Sequence, residues 1–168
     1  MSSYQLWFHV EAWDEINNED LTVTMVPKAV TFALYEYNGP KVSGPETFYS
    51  DRPLAWSPFA MPRLEDALKW ILGPAQEGDL VRLAGIEARL VRRWIGENVP
   101  RALFDRLDTE WIDPMRTTKQ ADLLTGQTFE PVKPSGGGIS GIEAAREQLH
   151  WAAQRIRLYT YKGASNGS

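Results

Sequence analysis

The sequence predicts an α+β fold: an N-terminal antiparallel β-meander followed by a helical region with a helix-turn-helix-like unit and a C-terminal helix. Residues 5–12 alternate apolar and polar side chains with the period of two that is typical of a strand. After residue 61 the apolar spacing becomes helical, and Ser140-Gly-Ile-Glu143 is a capping pattern that opens the last helix. We therefore divide the chain into an acidic sheet (1–60), a helical segment (61–112) and a segment with a short helix, a Gly-rich linker and the C-terminal helix (113–168), which are compatible with one compact domain.

The first segment contains four predicted strands. They cover residues 4–13, 21–26, 29–37 and about 47–50. The polar residues 17–20 and the sequence Asn38-Gly39-Pro40 predict turns between them. Connections this short favour antiparallel pairing, because parallel strands need long crossovers.

The remaining elements are predicted to be helices. They cover residues 62–72, 80–84, 87–95, 101–107, 117–125 and 141–157. Pro62 is placed at the start of the first and Asp79 as the N-cap of the second, while Gly73 and Gly126 follow helix ends. The glycine-rich sequence at 135–141 predicts a linker.

Composition and charge exclude several classes of function. The chain has 168 residues and no Cys, which excludes disulfides, thiolate metal sites and a cysteine nucleophile. No stretch of about 18 apolar residues occurs, so we expect no membrane span and a cytoplasmic protein. Residues 1–60 carry eight acids against three bases, whereas residues 61–107 carry eight bases against seven acids. Any affinity for nucleic acid is therefore predicted to be local.

Residues 79–106 have the order of parts of a helix-turn-helix. Residues 80–84 would form the supporting helix, Gly85 the turn, and Glu87–Ile95 the recognition helix, anchored by Val91 and Trp94. The outward side chains would be those that read base edges or grip phosphates. They are Glu87, Arg89, Arg92 and Arg93.

This segment resembles the helix-turn-helix of the Cro/repressor type, which occurs in phage and mobile-element regulators. The match covers about residues 64–107, with Ile86 after the Gly, Val91 five positions later and Trp94 three positions after that. The resemblance implies a DNA-binding regulator that acts on duplex DNA as a homodimer. The alternative is one continuous amphipathic core helix, in which Gly85 costs about 1 kcal/mol and the arginines form a solvated face.

The C-terminal helix repeats the spacing more weakly. Trp151, Ile156 and Tyr159 correspond to Ile86, Val91 and Trp94, but His150 replaces the Gly. A second DNA-binding set would then comprise Gln154, Arg155 and Arg157. The alternative is a single amphipathic helix.

The acidic N-terminal strands supply a second functional hypothesis. Trp7 lies on the opposite strand face from Leu6 and Phe8, so it belongs either to a second core or to an exposed docking patch. An acidic and aromatic surface would suit a basic protein partner. Its residues would be Trp7, Glu11, Trp13, Asp14 and Glu15. The protein would then be a non-enzymatic inhibitor of the anti-defence, anti-CRISPR or immunity type that binds a host protein.

We expect neither an enzyme nor a bound cofactor or metal. No nucleophile has a base at a spacing that suggests catalysis, and the paired acids at 14–15 and 19–20 lie close to a predicted turn. His9 and Glu11 share a strand face, but two ligands do not make a metal site. The sequence therefore predicts a binding protein, with DNA or a protein as partner.

Overall fold

The computed structural model describes residues 2–51 and 63–166, with side chains up to residue 161. The fold is α+β, as predicted, with one mixed five-stranded sheet in the order β3-β2-β1-β4-β5. The strands are β1 (Ser3–Asn17), β2 (Val23–Glu36), β3 (Lys41–Tyr49), β4 (Leu80–Ala84) and β5 (Leu107–Ile112). The helices are α1 (Leu64–Ile71), α2 (Ala88–Asn98), α3 (Arg101–Phe104), α4 (Pro114–Thr125) and α5 (Ile139–Asn166).

The antiparallel meander β1–β2–β3 is confirmed, as are the turns on either side of β2. The predicted strands at 21–26 and 29–37 are one strand, β2, which contains Pro27. Pro27 lies opposite Trp13, next to an irregularity in the β1–β2 pairing between Val10 and Trp13. A proline is tolerated there because a bulge already interrupts the ladder.

The predicted supporting helix at 80–84 is wrong. Residues Leu80–Ala84 form β4, which pairs in parallel with β1 on one side and with β5 on the other. Val81 and Leu83 enter one core while Arg82 and Ala84 point to the opposite sheet face, which is the period of a strand. The stretch between Gly78 and Gly85 has only six residues, four of them apolar, which is too short for a packed helix and suits a buried parallel strand.

Consequently the chain forms no helix-turn-helix at 79–106. Asp79 caps no helix, and its carboxylate accepts hydrogen bonds from the backbone N–H groups of Ser2 (2.9 Å) and Gln76 (2.8 Å). Gly85 is required by packing, because a Cβ there would lie 2.6 Å from the Phe8 ring. The unit is a parallel β4–α2–α3–β5 crossover that belongs to the sheet.

The sheet separates two cores. Side chains of one face pack against α1, α2 and α3, whereas the other face packs against α5. The first core includes Leu6, Phe8, Phe32, Leu83, Leu68 and Val91, and the second includes Trp7, Ala33, Tyr35, Ala84 and Ile142. Helices α2 and α5 therefore lie on opposite sides of the sheet.

The other predicted helices are confirmed with shifted ends. Helix α1 matches the helix predicted before Gly73, whereas Pro62 lies outside the described residues. Helix α4 begins at Pro114 because the Asp113 carboxylate caps it, and Gly126 ends it with a φ of +69°. Helix α5 extends to Asn166, nine residues past the predicted end at 157.

Candidate functional site

The predicted recognition residues lie at or on α2, and Arg92 among them reaches back to β5 of the sheet. Glu87 precedes the helix with a φ of +66°, and its backbone N–H donates to the Asp113 carboxylate at 3.1 Å. Arg89 and Arg93 are exposed, whereas Arg92 is half-buried. The predicted inner anchor Val91 is buried and Trp94 is half-buried, at 6.0 Å from the Phe48 ring. The inner anchors and the exposed Arg89 and Arg93 therefore lie as predicted, but Arg92 does not point outward, and a strand rather than a helix precedes α2.

Two of these arginines are engaged within the protein. The Arg92 guanidinium lies 4.5 Å from the centre of the Phe104 ring, and its Nε donates to the Asp108 carbonyl at 3.1 Å. Arg93 forms an exposed ion pair with Glu97 at 3.2 Å. Within the part of the chain that the structure describes, Arg89 has no hydrogen-bond or ion-pair partner. This face is thus less basic than its arginine count indicates.

An open groove of about 640 Å³ runs beside these arginines. Its walls combine arginines with aromatic rings, as surfaces that grip nucleic acid backbones and bases do. The lining side chains include Arg89, Arg93, Arg101, Phe104 and Trp111. Arg101 is itself 3.7 Å from Asp105, a weak surface pair.

The C-terminal set does not join this surface. Arg155 stacks on Phe129 (3.6 Å) and Trp151 (3.9 Å), so its guanidinium serves packing between α5 and the preceding segment. Gln154 and Arg157 are exposed. Because α5 and α2 lie on opposite sides of the sheet, the two predicted DNA-binding sets do not form one surface.

The predicted protein-binding set is divided between the core and the surface. Trp7 is only 1% exposed and lies in the second core, so its assignment to a docking surface is wrong. Trp13 packs against the first core. The irregularity in β1 between Val10 and Trp13 breaks the alternation by one residue, so the Trp13 side chain lies on the same sheet face as Phe8. Glu11 is exposed and accepts a hydrogen bond from the Thr31 hydroxyl at 3.0 Å. Asp14 and Glu15 are exposed and lie farther along the hairpin.

These last two residues begin a projecting hairpin, which we call the arm (residues 14–26). Its residues pair with each other across β1 and β2, whereas β4 pairs with β1 only over Ser3–Trp7 and β3 with β2 only over Ala29–Tyr35. The arm holds four acids and no Lys or Arg, so its net charge of −4 equals that of the whole chain. The acids are Asp14, Glu15, Glu19 and Asp20. The arm therefore contains Asp14 and Glu15 of the predicted protein-binding set together with Glu19 and Asp20, which that set did not include.

The tip of the arm presents Leu21, which is 94% exposed and has a φ of +69°. Hydrogen bonds hold the turn: Asn18 N–H donates to the Thr22 carbonyl (2.9 Å), and Leu21 N–H donates to the Asn18 carbonyl (3.1 Å). The Asp20 carboxylate accepts from the Thr22 hydroxyl at 2.6 Å, and this hydrogen bond lowers the pKa of Asp20. An ordered turn thus places a leucine in solvent.

Leu21 was not predicted to be a surface residue. Residues 21–26 alternate well enough to place Leu21 inside a strand, although the structure puts it in the turn. The signal that was present is the run of polar, turn-forming residues from Asn17 to Asp20, and the hydrogen-bonded turn extends past that run to Thr22. Ile16, Val23 and Met25 add exposed apolar surface to the same arm.

A polar cluster on the opposite sheet face surrounds His9. Burial lowers the pKa of His9, and the nearby Glu11 carboxylate opposes that shift in part. Gly141 at the start of α5 contacts the His9 ring so closely that a Cβ would overlap it. Over the described ranges, 2–51 and 63–166, no three His, Asp or Glu side chains converge as metal ligands. Nor is any described helix both long and apolar enough to cross a bilayer.

Comparison with known proteins adds no relative: no family model matches the chain, and no curated protein matches its sequence.

Proposed function

We propose that this chain is a non-enzymatic protein-binding protein that uses the arm to engage a basic partner, as an inhibitor of the anti-defence, anti-CRISPR or immunity type. The observation that carries the proposal is Leu21, an apolar side chain fixed at the tip of an acidic hairpin. Interfaces combine a few apolar anchors with a polar rim. Leu21 would fill an apolar pocket of the partner, and the four arm acids would face Lys or Arg around that pocket.

Energetic considerations favour a binding role for Leu21 over a structural one. A non-glycine residue in the left-handed region costs about 1–2 kcal/mol, and Leu21 does not recover that energy by packing within the protein. Burial of a leucine side chain on a partner returns about 1.5–3 kcal/mol. The turn hydrogen bonds already fix the backbone, so binding does not have to order it.

The Leu21→Asn variant tests the proposal, with Leu123→Asn as the matched control. Asn tolerates the left-handed region, so Leu21→Asn is expected to keep or raise the free energy of unfolding, by up to about 1 kcal/mol. Leu123 is 85% exposed on α4, far along the chain from the arm, and its change is expected to leave binding intact. Immobilised proteins would be exposed to lysate of the source cells, and the retained proteins compared between variants.

Wild type and Leu123→Asn are expected to retain the same partner protein in a stoichiometric amount. Leu21→Asn is expected to bind that protein at least about tenfold more weakly, since about 1.4 kcal/mol corresponds to a factor of ten. Retention is also expected to weaken with salt, because the arm acids are exposed. Equal retention by all three proteins, or no retained protein, contradicts the proposal.

A second candidate function is DNA binding through the α2 arginine face. It is favoured by Arg89, which has no partner among the described residues and lies beside the groove of Arg101 and Trp111. Arg89→Ala is expected to weaken binding to a mixed-sequence duplex and to reduce the slope of log affinity against log salt by about 1. Arg116→Ala, an exposed arginine on α4, is the control. Absence of duplex binding at low salt, or equal effects of both variants, excludes this candidate.

A further inference from the structure

Gln5 is a buried polar side chain with one half of its amide unused. It is 4% exposed, and its Oε1 accepts a hydrogen bond from Trp7 Nε1 at 3.1 Å. Because an indole N–H can only donate, this bond fixes the amide orientation and directs Nε2 away from Trp7. Gln5 Nε2 donates to no acceptor within the described residues. It can therefore supply two hydrogen bonds to a ligand.

Gln5 Nε2 opens into a groove of about 970 Å³ between the sheet and α5. Among the described side chains, Arg155 Nε is the one nitrogen or oxygen atom that is both inaccessible to solvent and without a hydrogen-bond partner. Gln5 Nε2, which also lacks a partner there, is therefore accessible to solvent, and it is reached through this groove. Trp7 and Ile112 form part of the floor, and Leu149 and Ile156 of α5 form a wall. The site thus joins apolar surface with a buried donor, as small-molecule sites do.

The charged side chains of the groove favour an anion. Its lining contains three arginines and one acid, Glu147. Arg82 is neutralised by Asp108 at 2.9 Å. Arg146 stacks 3.8 Å from the Tyr35 ring and donates to the Gly39 carbonyl, while Arg157 is exposed, and neither has an ion-pair partner in the described part of the chain. Arg157 thus has no charged partner among the described residues, and Arg146 keeps unused guanidinium N–H groups while it stays stacked on Tyr35.

We propose that this groove binds a small organic anion in which a flat apolar body carries a carboxylate. The apolar body would lie against Ile112 and Leu149, and Gln5 Nε2 would donate to an acceptor oxygen. Arg146 and Arg157 would hold the carboxylate through charge-assisted hydrogen bonds. This site is independent of the arm, because α5 packs on the sheet and the arm projects beyond it.

The test uses 1-naphthoate as the probe and 1-naphthalenemethanol, its uncharged counterpart with the same ring. Binding would be followed by NMR through the indole N–H resonance of Trp7 in the ¹⁵N-labelled full chain, because that group donates a hydrogen bond to Gln5. Naphthoate is expected to shift the resonance saturably and to bind about tenfold more tightly than the alcohol, as loss of a charged hydrogen-bond partner predicts.

Variants then locate the site. Gln5→Glu keeps the acceptor for Trp7 but replaces the free donor with a carboxylate oxygen, so naphthoate binding is expected to fall at least about tenfold. Arg157→Ala is expected to weaken the binding of naphthoate but not that of the alcohol. Arg93→Ala, the same change at an exposed arginine of α2, is expected to leave both affinities unchanged.

Three results overturn the proposal: a Trp7 resonance that naphthoate does not move, equal affinity for the acid and the alcohol, or equal effects of Arg157→Ala and Arg93→Ala. If Gln5→Glu does not fold, the probe comparison and the two arginine variants still decide the question, since both arginines are exposed.

Discussion

The close contact between Gly85 and Phe8 makes Gly85→Ala the most informative stability variant. A Cβ at residue 85 would lie 2.6 Å from Phe8 Cε1 and Cζ and 2.8 Å from Cδ1, whereas carbon atoms pack favourably at about 3.5–4.0 Å. The ring must therefore move by about 1 Å, yet Phe8 is 1% exposed and surrounded by core side chains. Gly85 does not have a positive φ, so alanine adopts its backbone conformation without strain and the cost is steric.

Overpacking of this kind costs about 1–3 kcal/mol. For a chain of this length, each kcal/mol lowers the melting temperature by about 2–4 °C, so we expect a decrease of about 2–12 °C. The assay is thermal and urea unfolding of Gly85→Ala, of Phe8→Leu and of the double variant. Phe8→Leu alone leaves a cavity, but in the double variant the new methyl group occupies part of the vacated space. The double variant is thus expected to be more stable than the sum of the single effects predicts, by about 0.5–3 kcal/mol.

Additive effects would refute this reasoning, because they would show that the methyl group does not meet the Phe8 ring. Gly126→Ala is the contrasting control. Gly126 has a φ of +69° with no atom within 4 Å of an added Cβ, so its cost is conformational and Phe8→Leu is not expected to relieve it.

Three further predictions concern polar groups. Burial lowers the pKa of His9 in the folded protein below its usual value of about 6.5, so the unfolded chain takes up a proton first as the pH falls. The free energy of unfolding is therefore expected to decrease as the pH drops from about 6.5 to the folded pKa. In His9→Gln, the urea midpoint is expected to depend less on pH over this range. Gln148 accepts from Val132 N–H and donates to the Thr118 hydroxyl, each at 2.6 Å, so Gln148→Leu is expected to cost about 1–3 kcal/mol in urea unfolding, and an unchanged midpoint would contradict this. Asp108→Asn removes the half-buried ion pair with Arg82 and is expected to cost about 1 kcal/mol, less at high salt; a difference that salt does not reduce would argue against it.

The fold class could be predicted because two signals indicate the same elements in the meander and in the later helices. These signals are the spacing of apolar side chains and the turn-forming or capping residues at the ends of each element. The strand β4 could not be distinguished from a helix in the same way. Four of the five side chains in residues 80–84 are apolar, so this buried parallel strand lacks the alternation of apolar and polar residues that identifies a half-exposed strand. The arginines that follow it suggested instead the two helices of a helix-turn-helix. Length was the usable signal, since Gly78 and Gly85 leave room only for a strand.

The candidate surfaces were predictable in composition but not in geometry. The sequence places acids at 14–20 and arginines at 89–93, and both sets are largely exposed. It does not show that Trp7 is sealed beneath α5, because a strand's second face is covered only when a distant helix returns to it. Gln5 is still less visible, since its unused donor depends on the Trp7 indole and on the groove under α5.

The projecting arm has a consequence for how the protein behaves at high concentration. Among the described residues, β1 beyond Trp7 and β2 before Lys28 pair with no strand on their outer sides, and a strand edge of this kind can pair with another chain. Identical arms would add to one another edge to edge if the negative charges at 14, 15, 19 and 20 did not repel. These carboxylates therefore oppose edge-to-edge self-association of the arms, whose exposed apolar side chains would otherwise favour an intermolecular sheet.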